Sequence, residues 1–446
     1  MKSKLKAIPG SVVAPQGFKA SGVFCNIKRL GTGKGSDRGR KRDLALIVSD
    51  SPATMAGMFT TNQVCAAPVK VCAARAKKGR AQAIVVNSGN ANACTGKQGL
   101  ADALEMTRFT EQALNLPVGS ALVGSTGRIG VMLPMDNVRA GIIEAAVMLG
   151  STVAHSAQAA EAIMTSDTRP KESAVEFRIG GKRVRIGGMC KGAGMIQPGM
   201  SATGKRPAAA PLHATMLCFI TTDAAIEAKA LQEALREAVA LSFNRITVDG
   251  DMSTNDTVLV LANGRAFAQK SKPPIITRKS RDFAVFRLAL QHVCLELAKM
   301  IVRDGEGVSR FVTVRVNGAK SFADADAAAR AVANSPLVKT SWHGGDPNWG
   351  RIIDALGYSP ATIVEERVDI GYSTPGSRKI LWSLKRGQPT RTKFKDLCVA
   401  VSSREFDLHI RLNIGQASAL MYAADLTEDY VDFNKGDVSD PSSLGG

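Results

Sequence analysis

Short apolar runs rich in β-branched residues, interleaved irregularly with longer amphipathic stretches, constrain this chain more than any other feature. LALIVS (44–49), AIVV (83–86), TVLVLA (257–262), FVTVRV (311–316), LCVAV (397–401) and LHIRL (408–412) read as strands, because branched apolar side chains suit a pleated, buried surface. Between them, residues 100–114, 136–149, 226–242 and 321–333 repeat apolar residues at helical spacing. The strongest helical pattern is FAVFRLALQHVCLELAKMIVRD (283–304), where Arg287, Glu296 and Lys299 leave a wide apolar face. A doubly wound parallel sheet needs strands and helices in strict alternation, and these do not alternate strictly. The mixture predicts an α+β sandwich. With 446 residues, 45% of them hydrophobic, the chain can bury a sizeable core without disulfides or a structural metal.

Several classes are excluded by what is missing. No apolar run approaches the 18 or more residues of a membrane-spanning helix. The basic N-terminal stretch carries an apolar patch only from Ser11 to Ala14, too short for a signal-peptide core, which predicts a soluble protein that stays where it is made. The eight cysteines form no C-x-x-C pair and read as buried small hydrophobes. With five histidines, none at zinc-ligand spacing, an enzyme here need not rely on a histidine base. The net charge of +19 is lopsided: residues 1–214 hold 29 Lys and Arg against 12 Asp and Glu. Such a half can meet polyanions, present a solvated basic face or handle anionic small molecules. Nucleic acid is disfavoured, because no aromatic residues interleave the basic runs for base stacking.

Four clusters invite a chemical reading. GTGKGS (31–36) falls short of a phosphate loop, since Lys28 stands where the first glycine should be and Gly35 follows Lys34. KGAGMIQPGM (191–200) is followed by SATGKRPAAAPLH (201–213), which reads as a surface insertion like GTGKGSDRGRK (31–41), and then by ATMLCFITTDA (214–224). Here Thr215 is either filler at the start of a buried strand or a nucleophile freed by cleavage of the bond before it. A freed N-terminal threonine carries both hydroxyl and base, because an α-amino group titrates near ~8. VVNSGNANACTG (85–96) and GSTGRIG (124–130) read as strand ends entering tight turns, where glycine lets backbone N–H groups approach a ligand. A Thr-Gly pair there can offer a hydroxyl and an N–H to a developing oxyanion.

Together with IMTSDTRPK (163–171), NRITVDGDMSTNDT (244–257), IVRDGEG (301–307), DPNWGRI (346–352) and DLTEDYV (425–431), these stretches resemble the ornithine acetyltransferase (ArgJ) family in order, over nearly the whole chain. The resemblance implies self-cleavage between Ala214 and Thr215, with Thr215 as nucleophile and Thr126 and Gly127 as the oxyanion pair. It implies substrate contacts at Thr165, Lys191, Thr215, Glu306, Asn434 and Ser439. Lys191 suits a substrate carboxylate and Glu306 a substrate amine. The implied reaction moves acetyl from N2-acetylornithine to glutamate through an acetyl-threonine, and some members also take acetyl-CoA as donor. Also implied are an α/β/β/α-type sandwich with an N-terminal-nucleophile-like site and no metal or organic cofactor. The chains 1–214 and 215–446 would form a cytoplasmic heterotetramer.

The chain departs from the family at the 201–213 insertion, at Arg128 and at its C-terminal ending. The insertion contains a second Ala-Thr step, Ala202–Thr203, but Thr215 is the one followed by the strand pattern MLCFITTDA. Two other activities fit parts of the sequence. One is a related amidase that passes the acyl group to water; the other is a polyanion-binding protein on an inactive scaffold.

Overall fold

A computed structural model describes residues 5–28, 41–205, 216–268 and 275–435. Two units organise them: one holds the described residues up to Asn244 together with Asp251–Ile301, the other Arg245–Gly250 and Val302–Lys435. Each is a mixed sheet with helices packed on it, the α+β class expected.

The described residues of the first unit form a nine-stranded sheet. Its order runs Lys6–Ala7, Lys171–Ile179, Lys182–Lys191, Leu217–Thr222, Thr257–Ala262, Leu44–Phe59, Arg80–Asn90, Ala121–Arg128, with Phe18–Val23 added beside Leu44–Phe59. Leu217–Thr222 lies parallel to Thr257–Ala262 but antiparallel to Lys182–Lys191, where Lys191 faces Leu217. Alternate side chains of a strand point to opposite faces. Leu217, Phe219, Leu259 and Leu261 therefore enter a core shared with helices Ala67–Ala76, Gly96–Ala113, Met135–Val147 and Val153–Ala162. Cys190 and Cys218 point the other way; the Cys190 thiol reaches the Leu297 carbonyl of helix Arg281–Arg303, and Gln232 of helix Ala228–Ala240 bonds Gly57. Each fully buried aliphatic side chain in such a core contributes roughly 1.5–3 kcal/mol.

In the second unit, seven strands run Gln388–Pro389, Leu381–Lys385, Asp369–Ser373, Glu405–Arg411, Phe311–Ala319, Ala417–Ala424, Ile246–Thr247. Helix Phe322–Asn334 packs on Phe311–Ala319 and Ala417–Ala424. Trp342, Tyr372 and Phe406 meet edge to face in the core, whose apolar remainder is largely Val, Ile, Leu and Ala.

All five expected helices form, within a few residues of the expected limits. One expected strand does not. LCVAV lies inside the helix Phe394–Ser402, and its buried residues Leu397, Ala400 and Val401 follow i, i+3, i+4 spacing. Five of the eight cysteines are buried, and all are free thiols. No described helix is long and apolar enough to cross a membrane.

Candidate active site

Thr126 and Gly127 end the strand Ala121–Arg128, opposite Ser88 and Gly89 of Arg80–Asn90. Gly127 has φ 132, and a Cβ there would lie 2.3 Å from the Gly89 carbonyl carbon and 2.5 Å from the Asn90 nitrogen. Backbone on both counts cannot yield, so only glycine fits. Beneath this turn lies a chain of buried amides. The Ser125 hydroxyl donates to Asn87 Oδ1 (2.6 Å), and Asn87 Nδ2 donates to the Asn90 carbonyl (2.8 Å). Asn255 Nδ2 donates both to the Ser125 carbonyl (2.8 Å) and to the Ala91 carbonyl (2.7 Å). The Ser125–Thr126 peptide is thereby held in one orientation while Gly127 remains exposed. Asparagine-rich VVNSGNANACTG is thus mostly scaffold: Asn90 Oδ1 accepts the Asn92 N–H, and Asn92 Oδ1 accepts the Thr95 hydroxyl.

Ala214, Thr215 and Ser439 lie outside the described residues, as do most of both expected insertions. Met216, the residue after Thr215, is buried and held from both sides of its backbone. Its N–H donates to Asp256 Oδ1, and its carbonyl accepts from the Thr257 N–H at 3.0 Å. The strand expected after Thr215 forms as Leu217–Thr222. Thr203, by contrast, is exposed in a turn, where its hydroxyl accepts the Lys205 N–H at 3.3 Å.

Thr165 and Lys191 meet at a residue the sequence reading passed over. Asp167, 1% exposed, accepts the Thr165 N–H (3.1 Å) and has Lys191 Nζ at 4.0 Å, both at Oδ2. Its Oδ1 accepts Lys171 Nζ (2.6 Å) and the Gly192 N–H (2.7 Å). Burial by itself would raise the Asp167 pKa. The Lys171 and Lys191 ammoniums and the Gly192 N–H overcome this and hold the carboxyl well below the usual carboxylate range. Lys171 and Lys191 are buried too. Nothing in periodicity marks Asp167 and Lys171; the available signal was an acid and a base four apart in MTSDTRPK, flanking a proline at the entry to a strand.

Lys28, read from sequence as one member of a basic run, is also buried. Its stem packs on Gly89, and its ammonium donates to the Arg42 carbonyl at 2.9 Å. Burial lowers its pKa to about 8 against the pull of Asp43 and Asp167.

In the second unit, Glu306 and Asn434 are brought together: Asn434 Nδ2 donates to Glu306 Oε2 at 2.9 Å and to the Tyr430 carbonyl at 2.9 Å. Gly307, at φ 67, lets this turn lie against the helix Glu428–Asn434; a Cβ there would sit 2.4 Å from the Tyr430 nitrogen. Thr427 caps the helix by accepting the Tyr430 N–H (3.1 Å) and donates its hydroxyl to the Gly307 carbonyl (2.6 Å). No group of three or more His, Cys, Asp or Glu side chains suited to a metal occurs among the described residues.

The chain matches the model of the ArgJ family over residues 20–436. It is 46% identical to the arginine biosynthesis bifunctional protein ArgJ of Symbiobacterium thermophilum, over 96% of this chain and 98% of that one. The protein of the same description from Geobacter sulfurreducens is 43% identical over 94% of this chain and 98% of its own. Among solved structures, the ornithine acetyltransferase of Mycobacterium tuberculosis in complex with ornithine is 36% identical, with a TM-score of 0.40. That match covers 44% of this chain and all of the solved one.

Proposed function

The chain belongs to the ArgJ family, and from that premise we propose that it is a self-cleaving acetyltransferase of arginine biosynthesis, moving acetyl from N2-acetylornithine to glutamate. Cleavage between Ala214 and Thr215 frees the threonine amine, which titrates near ~8 and takes the proton of its own hydroxyl. The Thr215 oxygen attacks the acetyl carbonyl. Thr126 and Gly127 donate to the tetrahedral oxyanion, a contribution of the kind that costs on the order of 10²–10³ in rate when one donor is removed. The C–N bond breaks, and ornithine leaves with a proton from the Thr215 ammonium. Glutamate's amine then attacks the acetyl-Thr215 ester, releasing N-acetylglutamate and restoring the hydroxyl. Acetyl-CoA can enter as a second donor through the same ester. The reaction so written uses no metal or organic cofactor. Thr165 and Lys191 hold the substrate carboxylate, and Glu306, Asn434 and Ser439 receive the amine-bearing end.

The observation that carries this reading is a pair of neighbours in NRITVDGDMSTNDT. Asn255 braces the Ser125–Thr126 peptide, while Asp256 accepts the N–H of Met216, the residue that follows Thr215. One strand entry thus anchors the backbone of the oxyanion pair and of the residue next to the nucleophile, which suits preorganised acyl transfer. The pieces 1–214 and 215–446 stay together because their strands pair from Ile186↔Thr222 to Lys191↔Leu217, and they assemble as a heterotetramer in the cytoplasm.

The test is the intact mass of denatured wild type beside Thr215→Ala, followed by acetyl transfer to glutamate. Two wild-type pieces, the second beginning Thr-Met-Leu-Cys, one uncut variant chain and acetyl found on glutamate are expected. A cut at Thr203, an uncut wild type, or acetate released at the same rate with and without glutamate would overturn it.

A further inference from the structure

Resting on the acetyltransferase reading, we propose that Asp167 is a positioning residue. It fixes Thr165 and Lys191 as a single carboxylate-binding element used in turn by the acetyl donor and the acetyl acceptor.

Four groups converge on this one buried carboxylate, and they come from separate parts of the chain. The Thr165 N–H belongs to the turn that follows helix Val153–Ala162, and Lys171 opens the strand Lys171–Ile179. Lys191 closes the strand Lys182–Lys191, and Gly192 begins the next turn. Removing the carboxylate would take a shared partner from all four. The two ammoniums are not equivalent. Lys171 Nζ makes a 2.6 Å bond to Oδ1, whereas Lys191 Nζ stands 4.0 Å from Oδ2. Lys171 therefore supplies the close counter-ion, and Lys191 is held near Asp167 without being drawn fully onto it.

Asp167, Lys171 and Lys191 are all buried. An ion pair out of water is stable only when its charges and hydrogen bonds are matched. An incoming α-carboxylate beside Lys191 meets an ammonium already held in place, while the half-buried Thr165 lies at the edge of the group. Acetylornithine and glutamate each carry an α-carboxylate. In a two-stage transfer each would occupy this element in its own half-reaction, so loss of Asp167 weakens both substrates alike and leaves the acetyl chemistry alone.

The experiment compares wild type with Asp167→Asn and with the double variant Asp167→Asn/Lys171→Met. The double variant removes the close pair and avoids stranding a second buried cation. Self-cleavage and thermal melting report folding. Steady-state kinetics give KM and kcat for each substrate, and mass spectrometry follows acetylation of Thr215 by p-nitrophenyl acetate, an acyl donor without a carboxylate. We expect the double variant to fold and cleave, with KM for acetylornithine and for glutamate each raised about 10- to 100-fold, as loss of a charge-assisted contact implies. We expect kcat within about threefold and Thr215 acetylation by the ester at the wild-type rate. Unchanged KM values, a KM rise for one substrate alone, a matching loss of ester acetylation, or a double variant that does not fold would each overturn the assignment. Wild type that takes no acetyl group on Thr215 from the ester would sink the acetyltransferase reading beneath it, separately from any effect of Asp167.

Discussion

Lys191 closes a central strand of the first unit and is 2% exposed beside a carboxylate that four groups share, whereas Glu306 sits half-buried in a turn of the second unit, bonded to an exposed asparagine on a seven-residue helix. The positive element is built into the sheet. The negative element hangs on a turn and a short terminal helix. A buried, mutually bonded cluster keeps its geometry because every alternative leaves a charge unpaired. A half-buried carboxylate at a turn shares its interaction with water and can shift to suit what arrives. Lys191 is therefore a rigid element and Glu306 an adaptable one.

That contrast is sharpest under substitution. Lys191→Met should lower kcat/KM for acetylornithine and for glutamate by roughly 10²–10³, since truncating one partner of a buried charged pair costs about 2–5 kcal/mol. Steady-state kinetics on the self-cleaved variant checks this, and an effect on one substrate alone would break the comparison. Glu306→Gln should act on acetylornithine only, raising its KM by about three- to tenfold, because glutamate brings no side-chain amine. An equal loss for glutamate would show Glu306 to be as structural as Lys191.

A further expected effect concerns two buried lysines, one in each unit. Burial lowers the pKa of Lys28 to about 8 and that of Lys339 to about 8, the latter against Asp249 and Asp425. In an unfolded chain both titrate near ~10.4, so between these values the unfolded state holds more protons and stability rises with pH. The gain is at most ~1.4 kcal/mol per pH unit for each lysine. Below pH 8 both states are charged and the penalty is constant. Relative to Lys28→Met and to Lys339→Met, wild type should therefore gain thermal stability from pH 7.5 to 10, on a background that falls as buried thiols such as Cys72 and Cys190, whose pKa values burial raises, ionise in the unfolded chain. A difference between wild type and each variant that stays flat over this range would remove the argument.

Much of the fold was legible because its helices carry strong periodicity; Arg281–Arg303 and Ala228–Ala240 could be read from spacing alone. LCVAV was misread because five apolar residues do not distinguish two periods, and Lys393, Phe394 and Ser402 around it are needed to see a helix. Leu44–Phe59 extends well beyond the six residues that announced it, since DSPATMAGM has no alternation; its pairing with Thr257–Ala262 is what makes it strand. Among the candidate residues, Thr126, Gly127, Lys191 and Glu306 stand out through motif resemblance. Asp167 and Asn255 were not, because their importance lies in partners that are distant in sequence, such as Gly192 for one and Ser125 for the other. A polar residue inside a long motif does not reveal which member touches ligand and which braces its neighbours.

The sheet of the first unit places Leu217–Thr222 and Thr257–Ala262 between Lys182–Lys191 on one side and Leu44–Phe59 on the other. A cut at Ala214–Thr215 would turn this into two polypeptides sharing one sheet, two adjacent strands of the second lying between strands of the first. Before the cut, refolding is a first-order event within one chain. Afterwards it requires two chains to meet, so recovery from denaturation would slow on dilution and the apparent melting point would vary with concentration. Maturation would then trade reversibility for activity, and the working lifetime of the mature protein would be set by how slowly it first comes apart.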